Sequence, residues 1–323
     1  NVVTDEQGAR GWMVRSSAWA LCALISAAAA LRHTPLPTYP SKTSQHLESF
    51  SSEDGAQGVL QKLKNVPVHF KRTLAGIPLH SSKDLPRAVP KQCAVVSNSM
   101  NVLSAAAGRD IDGVDGPVLR LNGATTDGFE RYVGKRTDIM LVNDLLLMEW
   151  MQRMAGPPEG VHSVIINDFA NGLVSHENVA YLVNSFPRVQ VFALDYKPMN
   201  DTLQEILREV VAAQKHETPK VPWMKYEPPK APLTPPRASL ASSGLTAMLF
   251  LLNMCKEVLH YGFMDGKACR EHYFGMDVGG CQIDDMHRVQ DEHLLLKAIS
   301  STQRSNFTGE GIIRGWPRLQ VEA

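Results

Sequence analysis

Neither sign of charge is in excess: 33 lysines and arginines face 33 aspartates and glutamates, so the 323-residue chain carries no formal net charge. That balance argues against a general nucleic-acid-binding surface, which draws on a basic excess. A local anion site is not excluded, because a few donors and a helix N-terminus suffice. Cysteine is scarce as well, and five residues are too few for a disulfide-rich scaffold. Also missing after the apolar run Cys93-Ala-Val-Val96 are the three glycines of a dinucleotide fingerprint and the Gly-Lys of a P-loop. Their absence counts against a Rossmann-type oxidoreductase. No internal repeat is visible.

Near the start, residues 16–31 ("SSAWALCALISAAAAL") are uncharged and bounded by Arg15 and Arg32. The run falls just under the usual span of about 17–25 residues. A thinner early-secretory membrane accepts it, with Arg15 snorkelling. Arg10 and Arg15 precede it, so residues 1–15 are expected on the cytosolic side and the rest in the lumen. A cleaved signal peptide is the alternative, since Ala27 to Ala30 suit a small-residue cleavage site. Residues 32–57 are Pro/Ser/Thr-rich and read as a flexible stem, leaving residues 58–323 as the lumenal domain. In that compartment Asn200-Asp-Thr202 and Asn306-Phe-Thr308 are candidate glycosylation acceptors.

From about Gly58 the texture turns globular. Short apolar runs at 93–96, 117–120, 138–142, 163–166 and 189–194 alternate with helix-like segments at 144–154, 177–185 and 202–214. This alternation predicts βαβ units and an α/β fold with a mostly parallel central sheet flanked by helices. Seven prolines between Thr218 and Pro236 exclude a regular helix or central strand there. Trp223 and Tyr226 lie within that segment, either walling an acceptor pocket or tucked against the domain. A helix-like apolar stretch then runs from Leu245 to Val258, and Tyr261-Gly-Phe263 reads as a short strand or turn.

Four stretches, in order, resemble the sialyltransferase family, the inverting CMP-sugar enzymes of the animal secretory pathway and their plant and algal relatives. The long motif is "CAVVSNSMNVLSAAAGRDIDGVDGPVLRLNGATTDGFERYVGKRTDIMLVN", Cys93 to Asn143. The short motif is "SSGLTAMLFLLNMCKEVLHYGF", Ser242 to Phe263. His272-Tyr-Phe274 is the third, and His287-Arg-Val-Gln-Asp-Glu292 supplies the family's His-x4-Glu spacing. The resemblance implies a single Rossmann-like nucleotide-binding domain of variant GT-A type, anchored in the Golgi membrane as a single-pass type II protein. It departs at Ser97, where the family usually has glycine. If that position needs positive φ, serine strains the turn.

What the resemblance implies chemically follows from the donor, a CMP ester of an acid sugar. Its tertiary anomeric carbon makes departure of the phosphate the hard step, so donors must face the phosphate and a base must meet the incoming hydroxyl. Asn98, Ser99 and Asn122 are implied contacts to the nucleotide. By themselves Asn98 reads as a helix N-cap and Asn122 as a turn residue. Ser242, Ser243 and Gly244 open an apolar helix, where free N–H groups suit a phosphate or carboxylate. His287 is the implied general base, since an imidazole titrates near neutrality. His272 would stand at the leaving phosphate. Glu292 would orient a neighbour or cap a helix over 291–299. Tyr273 is a further donor contact or else a packed aromatic.

The resemblance also implies a disulfide between Cys93 and Cys255; Cys269 and Cys281 flank the third motif and form a second candidate pair. No cofactor or metal is expected beyond the CMP-sugar co-substrate. Asp110-Ile-Asp112 fits Asp-x-Asp literally but follows a helix rather than a strand. The acceptor would be a glycan hydroxyl on a glycoprotein or glycolipid, with no nucleic acid as partner. Two alternatives remain: a CMP-Kdo-using transferase, and a lumenal CMP-sugar- or glycan-binding pseudoenzyme of the same fold.

Overall fold

The computed structural model describes residues 53–167, 174–215, 240–263, 272–274, 289–300 and 311–319. The expected anchor at 16–31, the Pro-rich segment, Cys269, Cys281, His287 and Asn306 lie outside the described residues. Among the described residues no helix is long and apolar enough to cross a membrane.

The chain opens with α1 (Glu53–Lys64), followed by a hairpin of β1 (Thr73–Leu74) and β2 (Ile77–Pro78). Then come β3 (Gln92–Val96), a 3₁₀ turn (Met100–Ser104), α2 (Gly108–Asp112), β4 (Val118–Leu121) and α3 (Glu130–Val133). Next are β5 (Ile139–Val142), α4 (Asp144–Arg153), β6 (Ser163–Asn167), α5 (His176–Ser185), β7 (Gln190–Leu194) and α6 (Tyr196–Lys215). The described part ends with α7 (Ser243–Leu252), β8 (Glu257–Tyr261), α8 (Val289–Ile299) and β9 (Gly311–Arg314).

Seven of these strands form one sheet in the order β7-β6-β5-β4-β3-β8-β9. All neighbours pair in parallel except β9, which runs antiparallel to β8. Interior parallel strands are covered on both faces, so they read as continuous apolar runs rather than alternating ones. Every residue of β4, β5 and β6 is buried accordingly. The chain builds outward from β3 to β7 and then returns to place β8 on the other side of β3. The crevice beyond the carboxyl ends of β3 and β8 is therefore the topological switch point, where open α/β sheets hold ligands.

One face carries the larger core: Val95, Leu119, Leu141, Ile165 and Phe192 of the sheet pack with Leu203, Leu207, Met248 and Leu295 of the helices. α7 is buried all round from Gly244 to Leu252, as an element uniformly apolar in sequence must be. On the opposite face two clusters lie side by side, one around Val164, Ile166 and Trp150, the other around Val96, Tyr261 and Val118. Arg120 of β4 is fully buried on that face. The loops around β1 and β2 cover the β7 edge, through Lys71 N–H to Ala193 O at 2.8 Å and His80 N–H to Val191 O at 2.9 Å.

Several boundaries differ from those expected. The first described element, α1, opens at Glu53, ahead of Gly58, and its Leu63 is buried in the core. The apolar stretch 245–258 is not one helix. It stops at Leu252, where Asn253 turns its amide back to Leu249 O at 2.8 Å, and resumes as β8. α6 starts at Tyr196, because Pro198 sits in its first turn and needs no intrahelical N–H there.

Candidate active site at the carboxyl edge of the sheet

Ser97 is the first residue past β3, and its N–H donates to Tyr261 O at 2.9 Å, carrying the β3–β8 pairing to the crevice. The strained turn expected of serine here is absent: the described non-glycine residues with positive φ are Ala75, Asn122 and Met154. Gly262 takes the left-handed conformation instead, with φ +80°. A Cβ on Gly262 would lie 3.1 Å from Ser97 Cβ and 3.0 Å from Val102 Cβ. Glycine is thus required on the β8 side of the crevice rather than the β3 side.

Asn98 is buried, and its Oδ1 has no hydrogen-bond partner. It does not cap the following 3₁₀ turn. Ser99 does, with its Oγ accepting Asn101 N–H at 3.2 Å. Asn122 stands at the end of β4 with φ +46°, a conformation asparagine tolerates better than most. Its Oδ1 accepts the N–H of Asn143 at 3.0 Å, and Asn143 caps α4 through Leu146 N–H. Asn122 therefore joins the carboxyl ends of β4 and β5.

The third motif lands on this same edge. Tyr273 N–H donates to Asn98 O at 2.9 Å, and its hydroxyl donates to Thr125 O at 2.6 Å. The ring packs edge-on against Phe129 and Phe274. Burial pushes the Tyr273 phenol up to about 12, against the pull of the Arg120 charge. With ring and hydroxyl both engaged, Tyr273 is a packed anchor. It presents His272, which is exposed and stacked on Phe274 with ring centroids 5.2 Å apart.

On the other face, Ser242 caps α7 by accepting Leu245 N–H at 3.1 Å. Glu292 of α8, itself buried, accepts both the N–H of Ser242 at 2.8 Å and its hydroxyl at 2.5 Å. The hydroxyl proton of Ser242 goes to Glu292, so this residue builds the helix end. The open donors of α7 are in its first turn, on Ser243 and Gly244, which have no intrahelical acceptor by position. Gly244 must be glycine because a Cβ would meet Phe263 Cε1 at 2.7 Å. Tyr196 holds the preceding residue, its hydroxyl donating to Ala241 O at 2.9 Å. Asn200 Oδ1 accepts Ala241 N–H at 2.8 Å. Asn200 is thereby engaged in the interior.

Asp112, second of the Asp-x-Asp pair, accepts the main-chain N–H groups of Lys135 and Arg136 at 2.9 Å each. It shapes that loop. Among the described residues no group of three or more His, Cys, Asp or Glu is placed to hold a metal ion. Cys93 and Cys255 are bonded, with Cα atoms 6.1 Å apart, and tie β3 to the turn before β8.

A family model described as glycosyltransferase family 29 (sialyltransferase) matches residues 38–304. The chain belongs to that family. Among curated sialyltransferases, the chain is 26% identical over 249 residues to the mouse alpha-N-acetyl-neuraminyl-2,3-beta-galactosyl-1,3-N-acetyl-galactosaminide alpha-2,6-sialyltransferase. That match covers 69% of this chain and 63% of the relative. Rat beta-galactoside alpha-2,6-sialyltransferase 2 is 26% identical over 264 residues, covering 78% of this chain and 46% of the relative. The chain thus spans roughly half to two-thirds of the length of these relatives. A crystal structure of a mammalian sialyltransferase is similar with a TM-score of 0.45 and 18% identity, over 81% of this chain and 86% of that one.

For this family 29 chain the motif residues described lie along one edge: Asn98, Ser99 and Asn122 beyond β3 and β4, Tyr273 and His272 against them, Ser242 to Gly244 across the sheet. Gly244 meets Phe263, which follows Gly262, which meets Ser97. His287 lies outside the described residues. Three supporting residues escaped the sequence reading. Thr125 acts through a main-chain carbonyl and Asn143 meets Asn122 through its main-chain N–H, groups every residue has, so no signal marked those contacts, although Asn143 also caps α4 with its side chain. Arg120 did carry one, as a charge in an apolar strand. Its guanidinium donates to the carbonyls of Val133 at 2.5 Å and Arg136 at 3.0 Å, and burial pulls its pKa down.

Proposed function

We propose that this chain is an inverting glycosyltransferase that moves an acid sugar, sialic acid or a close relative, from a CMP ester to a glycan hydroxyl. The observation that carries the reading is the buried, unpaired Oδ1 of Asn98 at the switch point of the sheet. A buried acceptor is rarely left without a donor, and a ligand O–H or N–H, as on ribose or an aminopyrimidine, completes it. Across the crevice, the first-turn N–H groups of Ser243 and Gly244 suit the phosphate or the sugar carboxylate.

In this reading His287 takes the proton of the acceptor hydroxyl as that oxygen bonds to the anomeric carbon. The carbon–oxygen bond to phosphate breaks on the opposite side, CMP departs with the electron pair, and configuration inverts. His272 donates a hydrogen bond to the departing phosphate. A leaving monophosphate has less charge to neutralise than a diphosphate, so the reaction proceeds without metal. The domain works in the Golgi lumen, as a variant GT-A, Rossmann-like unit tethered through residues 16–31 as a type II anchor, on glycoprotein or glycolipid acceptors.

The test uses the full chain in detergent with CMP-sialic acid or CMP-Kdo, a glycan panel and EDTA, beside His287→Ala. Transfer insensitive to EDTA and abolished by the substitution is expected. Activity that survives His287→Ala removes the base, chelator-sensitive transfer removes the metal-free route, and no transfer from either donor removes the enzyme reading.

A further inference from the structure

Asn98 is fixed by its neighbours and not by its own side chain. Its carbonyl accepts Tyr273 N–H at 2.9 Å, while its buried Oδ1 is unpaired. On either side stand two serines that hold each other: Ser97 Oγ accepts Ser99 N–H at 3.0 Å, bridging over Asn98. Ser99 continues the chain of bonds, its Oγ accepting Asn101 N–H and its carbonyl accepting Val102 N–H at 3.1 Å. Ser97 is itself tied to β8 through Tyr261 O, and Gly262 leaves the space its side chain fills. The Ser97–Ser99 bond restrains the backbone on both sides of Asn98 and so fixes the place and direction from which its side chain leaves the turn.

We propose that Ser97 is a positioning residue for the nucleotide site, acting through Asn98: its hydroxyl locks the turn so that the Asn98 oxygen is held unpaired for a donor on the ligand. The proposal rests on the CMP-ester reading. A glycine at 97 has no hydroxyl with which to make this bond, so the residue that departs from the family's usual pattern stiffens the site rather than straining it. Stiffening of this kind acts on ligand affinity, since a group already oriented loses less freedom on binding.

The experiment measures CMP binding by calorimetry for the full chain in detergent, with S97A, N98A and the double variant. S97A is expected to weaken CMP by about threefold to tenfold, the range of a single hydrogen bond, with unfolding temperature little changed. The double variant is expected to bind no more weakly than N98A, because the serine works only through the amide. Additive losses, or wild-type affinity in S97A, would overturn the proposal. Amide hydrogen exchange without ligand gives a second readout: Ser99 N–H exchanges about tenfold faster in S97A while β3 and β8 stay protected. Unchanged exchange at Ser99 refutes the lock. Faster exchange in a chain that binds no CMP even as wild type removes the donor reading, and the role of Ser97 in it, while leaving the lock in place.

Discussion

Glu292 grips Ser242 with both carboxylate oxygens, one on its N–H and one on its hydroxyl, across fifty residues of sequence. The pair joins the start of α8 to the start of α7, so Glu292 of the last motif supports the second motif. The buried carboxylate also lies near enough to Tyr196 to raise its phenol further, after burial itself.

Removing this grip exposes its weight. E292A leaves the N–H and hydroxyl of the half-buried Ser242 without their acceptor, at a cost of about 1–3 kcal/mol in all. A urea midpoint lower than wild type and a raised KM for the CMP donor are expected together, with E292Q between the two. A donor KM unchanged in a folded E292A would show that the α7 end does not contact the donor.

Tyr273 separates anchoring from ligand contact. Y273F loses only the bond to Thr125 O, about 0.5–1.5 kcal/mol, and its transfer kinetics should stay near wild type. Y273A empties the space between Phe129 and Phe274, costs about 3–5 kcal/mol and lowers turnover through the displaced His272. A donor KM that rises sharply in Y273F would return the hydroxyl to the binding site.

The Cys93–Cys255 bond closes a loop with a sequence separation of 162 residues. Its removal in C93A/C255A should cost about 2–5 kcal/mol, read as a fall in the urea midpoint. Single and double variants should lose nearly the same amount, because either one breaks the bond. A single variant as stable as wild type would contradict this.

His260, buried in β8, pairs through Nε2 with Ser300 Oγ at 2.8 Å, joining the sheet to the end of α8. Burial pulls its imidazole from 6.5 down to about 4. Above pH 6.5 the ring is neutral in both states and its contribution to stability is whole. As pH falls toward 4, the unfolded chain gains a proton that the folded one refuses, so stability drops by about 1.4 kcal/mol per unit. Comparing unfolding temperatures of wild type and H260Q between pH 7 and 4 should show the gap narrowing. A gap independent of pH would mean that the ring charges without cost.

Much of the fold was legible because parallel interior strands must be apolar throughout, and Cys93–Val96, Ile139–Val142 and Ser163–Ile166 announced themselves that way. The edges were not. β9 is an edge strand buried at only three of its four positions, and its pairing with β8 spans more than fifty residues, which no local periodicity encodes. α1 hid because it begins in a polar stretch; Val59 and Leu63 of its second half enter the core. Of the site, residue types were readable, but their division of labour was not. Ser242 and Tyr273 were readable as hydroxyls near the site, but the hydrogen bond each makes within the protein, to Glu292 and to Thr125, was not.

By itself the sequence determined the alternation of strands β3 to β7 with helices and which residues carry hydroxyl, amide and imidazole groups, since burial pattern and side-chain chemistry are local properties. Only the tertiary structure decided that β8 lies beside β3, that glycine is needed at 262 and tolerated as serine at 97, and that Glu292 closes on Ser242. Those outcomes depend on which distant backbone lies within three ångströms of a polar atom, and a hydrogen bond between remote residues leaves no periodic trace in the chain.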